Sequence, residues 1–92
     1  MQTSQKRLDM LKISQRTSAL IQEHNLTQKY VAISIGLSEQ IFSNKLTGIR
    51  PFAMKDIVAL ADFFEVSADY LLGRIDTPWP DPWEKNGKEA ER

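Results

Sequence analysis

A chain of 92 residues with no cysteine, a single histidine (His24) and zero net charge forms one small domain, burying about 60–65% of its unfolded surface, with no disulfide, thiolate site or zinc site. Its longest apolar run, residues 57–61, is far below the roughly 18–20 needed to cross a bilayer, and its polar N-terminus lacks a signal-peptide core; a soluble cytoplasmic protein without metal or cofactor is expected. The charge is zero only in sum, because residues 1–50 hold seven basic against three acidic side chains and residues 51–92 hold five against nine. A positive first half suits contact with phosphates, which respond to the local field rather than to the total.

The spacing of Ile13, Thr17, Leu20 and His24, with Leu8 and Leu11 upstream, predicts a first helix over 5–24. Asn25 tolerates the left-handed conformation that ends a helix, and Leu26 can then fold back on the core. Thr27 is an N-cap for a second helix over 28–35, Gly36 permits a turn, and Ser38 caps a third helix over 39–47. Gly48 and Pro51 stop it. Met54, Ile57, Val58, Leu60, Ala61 and Phe64 predict a buried fourth helix, and Ser67 caps a short fifth that carries Tyr70, Leu71 and Leu72 and ends at Gly73. No stretch alternates with period two, so the chain is expected to be all-α. The domain is expected to span 1–75, and residues 76–92, proline- and tryptophan-containing and then charged, form an extended, partly disordered tail.

Within this frame, residues 28–47, QKYVAISIGLSEQIFSNKLT, carry the functional signal. Ala32 and Gly36 lie four apart, so a small side chain sits where the third helix crosses the second. Val31, Ile35, Leu37 and Phe42 supply the apolar wedge that sets the crossing. The third helix then presents Glu39, Gln40, Ser43 and Asn44 outward.

The chain resembles the Cro and phage-repressor type (XRE-like) family of helix-turn-helix regulators. The resemblance runs from Arg16 to Gly73, about 58 of 92 residues. It is carried by LTQ at 26–28, Val31-Ala32, Ile35-Gly36-Leu37-Ser38, Phe42, Gly48, Leu60-Ala61 and VSADYLLG at 66–73. The resemblance implies a compact five-helix, lambda-repressor-like domain that binds a palindromic operator as a homodimer and represses or switches transcription. By position it implies base contacts from Glu39, Gln40, Ser43 and Asn44. Gln and Asn each donate and accept, which suits adenine N6 and N7, whereas Glu39 suits cytosine N4. It likewise implies phosphate contacts from Gln28, Lys29, Ser38, Lys45, Thr47 and Arg50. The third helix lacks arginine and has only Lys45 for guanine, so half-sites read through A·T pairs are expected.

The chain departs from the family pattern at four positions. Lys45 stands where an apolar residue is usual and Leu46 where a polar one is. Ala53 replaces a Ser or Thr cap, and Glu65 replaces a frequent glycine at a helix end. Asp56, Asp62 and Asp69 are expected on solvent faces without a histidine or metal partner, so no enzyme is expected. Trp79 and Trp83 in TPWPDPW present too much apolar surface for an inert tail: they fold back on their own domain or fill a pocket on a second subunit. With Leu8 and Leu11 they are the candidate dimer contacts. A reading from another class, an antitoxin or antirepressor-like adaptor that holds a protein partner through helix four or the tail, stands beside the repressor.

Overall fold

The computed structural model describes residues 2–79, with side chains from Leu11 to Trp79. Five helices and no strand occur among the described residues: α1 (Gln2–Glu23), α2 (Gln28–Ser34), α3 (Glu39–Leu46), α4 (Met54–Phe64) and α5 (Ala68–Leu72). The all-α expectation holds. α1 begins earlier than the apolar spacing suggested, since nothing in residues 2–10 breaks a helix, and it ends before His24, whose ring packs against Phe64.

Four helices finish in the same way, by a residue of positive φ followed by an amide that reaches back five residues. Asn25 (φ 56°), Gly36 (φ 85°), Glu65 (φ 57°) and Gly73 (φ 85°) take the left-handed position. The amides of Leu26, Leu37, Val66 and Arg74 then donate to the carbonyls of Ile21, Ala32, Ala61 and Asp69 at 2.9–3.0 Å. These Schellman closures satisfy carbonyls that the helix leaves orphaned and turn the chain sharply. Three helix starts are capped as the sequence indicated, with Thr27, Ser38 and Ser67 hydroxyls accepting from the amides of Tyr30, Ile41 and Asp69.

The core gathers Ile13, Leu20 and Ile21 of α1, Val31 and Ala32 of α2, Phe42 of α3, Phe52, and Ile57, Leu60, Ala61 and Phe64 of α4 with Leu71 of α5. Contacts run between α1 and α5, α2 and α3, α4 and α5, and α1 and α3. Thr17 is wholly buried, and its hydroxyl has no hydrogen-bond partner among the described residues.

Two expectations for α4 are corrected. Met54 and Val58 are not buried but 62% and 47% exposed. Met54 is the first residue of the helix, and Val58 is rotated about 100° from Ile57, off the core line. Asp56 is not on a solvent face but buried, because its carboxylate accepts from the Ala53 amide at 2.8 Å and pairs with Lys45.

The segment after α5 lies back on the domain. Arg16 donates to the carbonyls of Tyr70 and Ile75, both at 2.6 Å, reaches Asp76 and stacks over the Tyr70 ring. The Ser67 amide donates to the Pro78 carbonyl and the Trp79 indole donates to the Glu65 carbonyl, each at 2.6 Å.

Candidate nucleic-acid interface

α2 and α3 meet through Gly36, Leu37 and Ser38. The turn requires φ of +85° at Gly36, a conformation that side-chain-bearing residues adopt only with strain. Ala32 is fully buried at the crossing, with Val31 and Phe42 beside it; Ile35 and Leu37 are half-buried against the same cluster. Helical steps of about 100° place Gln40, Ser43, Asn44 and Thr47 in one arc opposite Phe42 and Leu46. Gln40 and Glu39 are exposed, Ser43 and Asn44 half-buried. The Gln40 amide donates to the Asn44 side-chain carbonyl at 3.1 Å, so the two amides form a coupled pair on the open face.

Around this helix, the sites singled out for phosphate differ in what they can offer. Lys29 and Arg50 are exposed and make no ion pair among the described residues. Gln28 is half-buried in the first turn of α2. Ser38 is exposed and its hydroxyl oxygen accepts from the Ile41 amide. Thr47 points its hydroxyl at the Ser43 and Asn44 carbonyls, at 3.0 and 3.3 Å. Lys45 is turned inward: its side chain is 11% exposed and its ammonium is paired with Asp56, itself 2% exposed. Leu46, one step on, packs on the core, which accounts for the exchange of polar and apolar residues at these positions.

Of the four candidate dimer residues, Leu8 and Trp83 lie outside the described side chains. Leu11 is exposed on α1 beside a cavity of about 300 Å³ that Leu46, Arg50 and Phe52 also line. Trp79 is anchored to its own domain through Glu65 yet remains 55% exposed.

Two residues escaped the sequence reading. Asp56 carried a signal, since an acid three residues after a helix start is half of a capping box, but Ala53 supplies no side-chain acceptor for the other half. Arg16 carried none, because its partners lie more than fifty residues away.

An uncharacterised HTH-type transcriptional regulator of Bacillus subtilis (strain 168), YobD, is 33% identical over 75 residues, spanning 82% of this chain and 67% of the relative. The chain belongs to the HTH-type transcriptional regulators. No family model and no solved structure matches it. No helix among the described residues is long and apolar enough to cross a membrane.

Proposed function

We propose that this regulator is a sequence-specific DNA-binding repressor of the Cro and phage-repressor type, acting as a homodimer on a palindromic operator. The observation that carries this reading is the outward arc of α3, where Gln40 and Asn44 stand coupled above a fully buried Phe42. α3 enters the major groove, with Gln40, Asn44, Glu39 and Ser43 at base edges. Gln28, Lys29, Ser38 and Arg50 hold phosphates on either side, and Thr47 joins them once its hydroxyl rotates away from the helix. Residues 1–75 form the binding unit, with residues 76–79 laid back on it. Bound at a promoter, the dimer excludes polymerase.

The adaptor reading is supported by Met54 and Val58, an exposed apolar pair one turn apart on α4. Electrophoretic mobility shift with the adjoining promoter DNA at two salt concentrations separates the two. Specific, steeply salt-dependent binding that disappears in Gln40→Ala/Asn44→Ala is the expected result. Binding that survives the double change removes α3 as the reader.

A further inference from the structure

Lys45 is the single basic residue on α3, yet its ammonium faces the interior. One carboxylate oxygen, Oδ2 of Asp56, receives both the Lys45 ammonium and the Ala53 amide. That oxygen ties the last turn of α3 to the first turn of α4 across the intervening loop. α3 packs chiefly on α2 and α1. Among the described residues this ion pair is the one side-chain hydrogen bond between α3 and α4.

Removing a charge pair from water is costly, so the pair persists only in a defined geometry. Lys45 adjoins Asn44, so fixing its side chain also fixes the rotation of α3 about its axis. The Lys45 side chain keeps 11% exposure and lines the cavity beside Leu11, but its ammonium is committed to the Asp56 carboxylate.

We propose that Lys45 and Asp56 are positioning residues: buried together, they set the rotation of α3 against α4, and Lys45 makes no contact with DNA. This rests on the DNA reading above and deepens it.

The test uses the full chain and a duplex enriched on it from a randomised pool, with affinity measured over a salt series. Lys45→Met and Asp56→Asn are each expected to weaken binding roughly tenfold or more, because each strands one charge in the interior. The double variant Lys45→Met/Asp56→Asn removes both charges and keeps an acceptor for the Ala53 amide. It is expected to return to within about threefold of the parent, with the parent's slope of log affinity against log salt. A phosphate-binding Lys45 would instead lower that slope by about 0.9 in the double variant, which overturns the proposal. An Asp56→Asn protein that binds as tightly as the parent overturns it too. Where a single variant does not fold, the slope of the double variant decides alone. A parent that binds no duplex from the pool sinks the DNA reading itself, whereas a parent that binds and a double variant of lowered slope sink only the role of the pair.

Discussion

Thr17 fills an apolar position of α1 with a hydroxyl that no described residue satisfies. A buried polar group without a partner costs about 1–3 kcal/mol, and valine has nearly the same shape without that group. Thr17→Val is therefore expected to stabilise the fold by about 1 kcal/mol, raising the thermal midpoint by roughly 4–8 °C for a domain of this size. A midpoint that stays level or falls in a calorimetric scan would show that the hydroxyl has a partner after all. Glu65 holds a second local cost, since its left-handed φ of 57° suits glycine. Glu65→Gly is expected to gain about 0.5 kcal/mol, the relief of strain exceeding the added freedom of the unfolded chain. Chemical denaturation with an unchanged m-value checks it, and a lower midpoint would contradict it.

Helix starts and stops were legible in the sequence because caps and left-handed residues act within a few positions of themselves. Thr27, Gly36, Ser38, Ser67 and Gly73 each do locally what their chemistry suggests. Long-range pairs left no such trace. The burial of Asp56 depends on a lysine eleven positions earlier, and the return of the segment after α5 depends on Arg16. That return makes a definite expectation. Arg16 anchors residues 70–76 through two carbonyls and a ring, and the Ser67 amide is closed off by Pro78 further along the same segment. Arg16→Met keeps the stem and loses every donor. Hydrogen exchange at the Ser67 amide is expected to quicken at least about tenfold, whereas the Leu37 amide, closed inside the α2–α3 turn, keeps its rate. Equal acceleration at both sites would mean global loosening instead of release of the segment.

At the scale of the whole molecule, charge cancels in sum and separates only in part along the fold. Among the described residues, exposed Lys29 and Arg50 flank α3, which itself carries exposed Glu39, whereas exposed Asp62, Glu65, Asp69 and Asp76 lie on α4, at its end, on α5 and on the returning segment, interrupted by exposed Lys55 and Arg74. In the proposed complex the two flanking cations draw α3 toward a polyanion during encounter. The field is also weaker than the sequence count implied, since Arg16 and Lys45, two of the seven basic residues in the first half, are engaged inside the protein. The consequence falls on specificity. Guanine is most often read by Arg or Lys through O6 and N7, and with Lys45 withdrawn α3 offers neither. In the proposed complex, adenine read by Gln40 or Asn44 is then the main source of discrimination, about 1–3 kcal/mol for each bidentate pair. In that complex Lys29 and Arg50 are the exposed cations flanking α3 among the described residues, so a single domain binds modestly and two half-sites about 34–36 Å apart supply the remaining affinity. Selection from a randomised pool is expected to return paired half-sites with adenine at the positions facing Gln40 and Asn44. Half-sites composed of guanine alone would require a cation on α3 and would refute the arrangement in which Lys45 stays with Asp56.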